Sequence, residues 1–318
     1  MGRISFKKDN KLISNKVLVL LSVYQGEKYL SQQLDSLLSQ SFPVDILIRD
    51  DGSTDKSFEI ISEYQKEHNN IFYYRESNVG FINSFNRLLS HEMVDDYLWI
   101  AFCDQDDVWL PEKVSVAVTK LKEYKNQDVP LLYCSNLTVV DSNLNRIRNM
   151  HKSRFAVSRA CLYVQNIAIG CTSVFNHAAI KAYRMGINNP MEAHDYYMLC
   201  ICKLLGHVHY DYEPHILYRQ HGNNTLGAFG KPMFLGIRDV FVDLLKPKRQ
   251  IRVEMFKSII KIHSDYLTNR EIEFLSVFVD YKTRLQNRIN LAFNPTIAGC
   301  DIKTTLAFKV RAILGRMY

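Results

Sequence analysis

Three features of this 318-residue chain predict an α/β fold: a doubly wound, Rossmann-like, mostly parallel sheet with a helical extension at its C-terminal end. Short apolar runs alternate with amphipathic segments through the first hundred residues. Two of those runs stop abruptly in clusters of aspartate, as strands do when they deliver side chains to the carboxyl edge of a sheet. After about Gly230 the strand signals fade and the composition turns helical and basic.

The elements follow in order. Val17–Val23 is a buried strand and Tyr24-Gln25-Gly26-Glu27 the loop after it. Leu30, Leu34, Leu37 and Leu38 then recur at i, i+4, i+7 and i+8, the face of an amphipathic helix. Asp45–Arg49 is a second strand that closes on Asp50-Asp51-Gly52-Ser53-Thr54-Asp55. Gly52 permits a tight turn there, and Ser53 can cap a helix carrying Phe58, Ile61 and Tyr64. Ile71–Tyr74 leads through Ser77-Asn78-Val79-Gly80 into a helix with Phe81, Phe85, Leu88 and Leu89 on one side. Leu98–Cys103 is the fourth strand, and strands alternating with helices imply parallel pairing.

The second half is less regular. Leu131–Val140 is predicted as a strand, 145–159 as a polar, basic loop, and Asn166–Phe175 as a strand containing Gly170-Cys171-Thr172. Residues 191–205 are predicted helical, with a further strand near Val208–Tyr210. From Thr304 the tail places Leu306, Val310, Ile313, Leu314 and Met317 on one helical face. No internal repeat or low-complexity linker interrupts the pattern.

Composition bounds the functional classes. An apolar fraction of 47% supplies a full core for one large α/β domain or two smaller ones. The seven cysteines form no CxxC, Cys200 and Cys202 being the one close pair, and no leader pattern is evident at the start. Reduced thiols in the cytoplasm are therefore expected, with neither disulfides nor a zinc site. No apolar run approaches the ~20 residues that span a bilayer. The formal charge of +7 is concentrated toward the two ends, with Arg3, Lys7, Lys8, Lys11 and Lys16 in the lead-in and six Lys or Arg against one Glu between Lys246 and Lys261. These ends do not interleave with the aromatic platform that single-stranded nucleic acid requires, so no nucleic-acid partner is expected.

The chemistry concentrates in Asp104-Gln105-Asp106-Asp107, directly after Leu98–Cys103. Asp104 and Asp106 are two apart and can point the same way from an extended segment, a geometry for gripping Mg²⁺ or Mn²⁺ beside a substrate diphosphate. A solvated turn capping the helix that begins near Pro111 is the alternative use of such acids.

The segments LSVYQGEKYLSQQLDSLLSQS, IRDDGSTDKS, RESNVGFINSFNRLL, FCDQDDVWLPEK, GCTSVF, HDYYM and YRQHGNN together resemble the family 2 glycosyltransferases of the GT-A fold, bacterial rhamnosyltransferases in particular. The resemblance extends over about residues 16–225 and rests on order and spacing rather than one motif. It implies a GT-A glycosyltransferase domain over 1–230 and a basic helical region over 231–318 that contacts a membrane or another copy. It further implies that Asp50 and Asp51 hydrogen-bond the base and ribose of a nucleotide, with Asn78 in the same donor-binding set. By the same resemblance Asp106 ligates the divalent ion and Asp104 lies near the ribose or the metal. Asp107 serves as a supporting or helix-capping acid, and Gln105 has no assigned role.

Asp195 corresponds to the general base that takes the acceptor's proton, at a helix start whose dipole keeps a carboxylate ionised. Where many members carry Glu-Asp this chain has His194-Asp195, with Glu192 three residues earlier, so Glu192 remains an alternative base. Arg219 offers a fork to the diphosphate and His221 is a metal ligand or donor, while Gly170 and Thr172 line the sugar or acceptor pocket. The implied reaction is inverting, metal-dependent transfer from dTDP-L-rhamnose to a lipid-linked cell-surface glycan at the inner face of the cell membrane. A glucosyl- or galactosyltransferase using a UDP-sugar is the alternative. A sugar nucleotidyltransferase would show a Gly-rich basic loop after the first strand, where this chain has a single glycine, and a non-catalytic sugar-binding module would lack part of the acid set.

Overall fold

The computed structural model describes residues 14–220 and 250–317. The lead-in 1–13 and the segment 221–249, which begins at His221, lie outside the described residues. One nine-stranded sheet organises the chain. Its first half consists of β1 (Ser14–Val23), β2 (Val44–Asp50), β3 (Ile71–Arg75) and β4 (Tyr97–Cys103), all parallel, in the order β3-β2-β1-β4. The second half is mixed: β6 (Leu131–Val140) pairs parallel with β9 (His207–Arg219) and antiparallel with β7 (Arg146–Asn149) and β8 (Val174–Asn176). β8 also joins β4 antiparallel, and the two-residue β5 (Val108–Trp109) joins β9.

The apolar runs form strands because both faces of the sheet are covered. Leu18 and Leu20 face one core, while Val17, Val19 and Leu21 face the other, and all five are fully buried. The second core takes the leucines of α1 (Leu30–Leu38) and the Val114, Ala117 and Leu121 stripe of α4 (Lys113–Lys122); α2 (Ser57–Glu67) contributes Ile61. The first core takes α3 (Phe81–Ser90), the short α5 (Cys161–Val164), α6 (His177–Met185) and α7 (His194–Leu205). It continues into α8 (Ile251–Ile262) and α9 (Asn269–Val279), whose Phe256, Ile259, Leu275 and Phe278 are buried with it. Two further helices, α10 (Leu285–Phe293) and α11 (Ile302–Leu314), complete the chain.

Four expectations need correcting. Residues 166–173 are not strand: they form a loop and a 3-10 turn at Gly170–Thr172, and only Val174–Asn176 pairs. Their backbone turns toward the start of α7 instead, with the Gly170 N–H donating to Asp195. The basic loop 145–159 contains β7, and β9 runs through Arg219, with a register shift around Pro214 that accommodates the missing N–H. The tail stripe is also divided: Met317 is buried, but Leu306, Val310, Ile313 and Leu314 are exposed, and α11 packs through Phe308 and Ala312.

Val23 pairs with Asp50 and Leu21 with Cys103, so β1 and β2 end level and β4 two residues earlier. The three loops that follow them therefore lie side by side at the carboxyl edge, where ligands of parallel sheets bind.

Candidate active site

The edge is built by side chains that tie one loop to the next. Gln25, at φ 54°, accepts the N–H groups of Thr54 and Asp55 through Oε1. Gln105 clasps the first loop to the acidic one, taking the Tyr24 N–H at 2.7 Å and donating to the Tyr24 carbonyl at 3.0 Å. That gives Gln105 a role which the sequence left unassigned. Gly26 leaves room for it, since a Cβ there would lie 2.7 Å from the Gln105 amide oxygen and displace the clasp.

Asp50 and Asp51 are both buried at the end of β2. Asp50 accepts the Ser53 N–H at 2.9 Å and faces Arg75 at 3.1 Å, which sets the turn at Gly52, φ 80°. Asp51 takes Arg49 at 2.5 Å, the Val79 N–H at 2.9 Å and the Gly80 N–H at 3.1 Å, pinning the start of α3 to the sheet. Asn78 lies exposed on the loop so held. Both carboxylates are thus engaged by protein, and Asn78 is the member of the predicted donor set that faces outward.

The acids after β4 converge. A ligand atom from each of Asp104, Asp107 and Cys171 lies within 4.8 Å of the others. Asp104 remains partly open, yet burial, Asp106 and Asp195 together push its carboxyl up to about 7. Asp107 is fully buried, and burial, with Asp106 and Asp104 nearby, holds its carboxyl well above the usual range. It does not cap α4, which begins six residues later; its Oδ1 accepts the Arg219 N–H at 3.1 Å. Its Oδ2 has no hydrogen-bond partner among the described residues. Asp106 is half-buried, and its carbonyl receives Arg219 Nε at 2.9 Å.

Carboxylates crowded in this way fit a hard divalent cation, which takes oxygen ligands and relieves their repulsion. The Cys171 thiol, pushed well up by burial, is a protonated neighbour rather than a ligand for such an ion.

Arg219 departs from its predicted geometry. Its fork is directed at the Asp106 and Ser142 carbonyls and at Gln32, with the guanidinium 4.3 Å from the Tyr29 ring. The side chain therefore braces the acidic loop against α1 and the β6–β7 turn. Sequence reasoning also missed Lys113, whose Nζ sits 3.3 Å from the Trp109 ring centroid, fully buried, with its pKa lowered by burial to about 8. Its spacing with Ala117 and Leu121, four residues apart on the buried face of α4, was the available signal.

Asp195 lies in the first turn of α7 and is 9% exposed. Its Oδ2 accepts the Gly170 N–H at 2.9 Å and its Oδ1 the Tyr196 N–H at 2.6 Å. Burial outweighs these bonds and raises the carboxyl to about 6, so its basicity exceeds what a helix dipole alone would leave. Asp195 is also among the charges that raise Asp104, so the two carboxylates lie close enough to feel each other.

Gly170 is needed at this point: a Cβ would lie 3.1 Å from His194 Nε2. Thr172 is buried and donates its hydroxyl to the Ile169 carbonyl at 2.8 Å, so Cys171 rather than Thr172 faces the acids. The His194 ring stacks on Phe85 at 4.0 Å and meets Phe102 and Phe81 edge-on, and burial lowers its pKa to about 3. Glu192 is bound through both oxygens to Arg252 of α8, at 2.7 and 2.8 Å.

An acid cluster and a buried carboxylate of raised proton affinity, at the carboxyl edge of the parallel half of the sheet, make this the candidate active site. The model of glycosyl transferase family 2 matches residues 18–184, more than half of the chain. The chain therefore belongs to that family and is a glycosyltransferase. The dTDP-rhamnosyl transferase RfbG of Shigella flexneri is 27% identical over 219 residues, spanning 65% of this chain and 74% of that protein. Glycosyltransferase GlyA of Streptococcus pneumoniae serotype 4 is 33% identical over 115 residues, 36% of this chain and 16% of that protein. The S. aureus TarS 1-349 structure in complex with UDP-GlcNAc shares the fold, with a TM-score of 0.55 at 16% identity over 95% of this chain and 91% of that one.

Proposed function

We propose that this glycosyltransferase is inverting and uses a divalent cation, moving L-rhamnose from dTDP-L-rhamnose to a hydroxyl of a lipid-linked cell-surface glycan at the inner face of the membrane. The observation that supports the mechanism is Asp195: a buried carboxyl held by the Gly170 and Tyr196 N–H groups, raised to about 6, and close enough to Asp104 to raise it in turn. A base with that affinity for protons is matched to neutral pH. It takes the proton of the acceptor hydroxyl while that oxygen attacks the anomeric carbon from the face opposite the diphosphate. The bond from the anomeric carbon to the diphosphate oxygen breaks, and the electron pair leaves with the nucleotide.

Glu192 does not serve here, because accepting a proton would break its two-point pair with Arg252. Asp104, with Asp106 or Asp107, would hold Mg²⁺ or Mn²⁺, which when bound neutralises charge on the departing diphosphate. Asp50, Asp51 and Arg219 act as positioning residues that hold the two donor loops, and Asn78 meets the nucleotide. The acceptor side is supported by a groove of about 710 Å³ between α3 and residues 187–191, where Asn83, Asn86, Asn188 and Asn189 alternate with Ile82 and Met191. Amides with apolar neighbours suit sugar hydroxyls and ring faces.

The rhamnosyl donor is favoured by the motif wording of FCDQDDVW and HDYY and by the likeness to RfbG. The test is a donor screen with the purified protein, following nucleotide release with Mg²⁺, with Mn²⁺ and with a chelator. Cation-dependent release from dTDP-rhamnose above all UDP-hexoses supports the reading; preference for a UDP-hexose replaces the donor, and full turnover in chelator removes the metal.

A further inference from the structure

Among the described residues, two helices toward the C-terminus leave an apolar face uncovered. On α10, Leu285, Ile289 and Phe293 recur every fourth residue and are 66%, 43% and 68% exposed. On α11, Ile302, Leu306, Val310 and Ile313 form a second stripe, 78%, 57%, 37% and 49% exposed. The helices pack antiparallel: Arg288 reaches the Ala312 and Ile313 carbonyls, and Lys309 Nζ lies 3.3 Å from the Asn294 carbonyl. Ile289 is thereby level with Ile313, and Phe293 with Val310, so the stripes run alongside each other. Single exposed apolar residues need no explanation, but seven on two packed helices do.

Charge decides what covers it. Between residues 282 and 317 the chain has seven Lys or Arg and one acid, Asp301. Lys282, Arg284, Lys303 and Arg316 are exposed, and they flank the stripes near both ends of the helix pair. A second copy docked through this face would set two strongly cationic surfaces against each other. An anionic bilayer supplies both complements, acyl chains for the stripe and headgroup charge for its rim.

We infer that the α10–α11 face is a docking surface for an anionic lipid bilayer, engaged in the interface plane rather than spanning it. Among the described residues no helix is long and apolar enough to cross a membrane. The observations behind this are independent of the donor, the metal and the transfer reaction.

The test is co-sedimentation of the full chain with phosphatidylcholine vesicles and with vesicles containing a quarter phosphatidylglycerol, in low and high salt, with no nucleotide sugar present. Binding at least about tenfold tighter to the anionic vesicles, weakened by salt, is expected. The surface variants F293Q and L306Q together should reduce that binding by about tenfold or more, with an unchanged circular dichroism spectrum. Failure to bind anionic vesicles overturns the inference. So does equal binding by the double variant, or a concentration-dependent dimer abolished by F293Q, which would make a second copy the occupant.

Discussion

At the residue scale the decisive quantity is the proton affinity of Asp195. As pH falls through about 6 its carboxyl gains a proton and the base is lost, so with saturating Mn²⁺ kcat/KM should fall about tenfold per unit below that point. A profile flat to about pH 4.5 would contradict the assignment. Stability runs in the opposite sense. The folded carboxyl titrates near 6 and the free one at 3.8, so the folded chain binds more protons between them and loses stability as pH rises across that window. Asp195→Asn should therefore slow transfer by about 10³ while leaving nucleotide affinity within about threefold. At about pH 7.5 the burial cost it removes is offset by an amide NH2 set against the Gly170 or Tyr196 N–H, so stability should stay within about 2 kcal/mol of the parent. The acids themselves were legible in the sequence, because three in four residues after an apolar run have few structural uses. Their environments were not: the buried Lys113 and the engaged fork of Arg219 depend on neighbours brought in from α4, α1 and the β6–β7 turn.

Among elements, the loops at the sheet edge carry the function and the strands hold them side by side. β1 and β4 could be read directly, since a strand buried on both faces is largely apolar, and β2 through Ile46–Ile48 although it also buries Asp45, Arg49 and Asp50. Residues 166–173 misled for the same reason: they are apolar because they are buried beside α7, while their backbone is committed to Asp195 and a 3-10 turn. α6 escaped notice because three alanines and a lysine blur its stripe, although Asn176 caps it by accepting the Ala179 N–H at 3.0 Å. The Gln105 clasp is the most functional of these loop contacts. Gln105→Ala removes two hydrogen bonds to an exposed strand-end loop, a loss of about 1–2 kcal/mol if both are made only in the ordered state. The donor KM should rise about tenfold with kcat changed far less; a kcat loss with unchanged KM would assign Gln105 to the chemical step instead.

The molecule as a whole joins a parallel half, whose loops present acids, to a mixed half that brings Gly170 and Asp195 back across the edge. β8 makes that junction by pairing with both β4 and β6. The C-terminal helices extend the core on the α7 side, and the Arg252–Glu192 pair fastens α8 to the segment that leads into Asp195. That connection was invisible in the sequence, where residues 250–317 carried only composition and one helical period. The account's central claim is that the acids after β4 and Asp195 serve a single reaction centre. It is tested most directly by diffraction from crystals grown with Mn²⁺ and dTDP, located by manganese anomalous scattering. The account predicts manganese bonded to the diphosphate and to carboxylates of the Asp104–Asp107 loop, with the terminal phosphate turned toward Asp195. Manganese and nucleotide bound together at another face, with that loop unaltered, would contradict it.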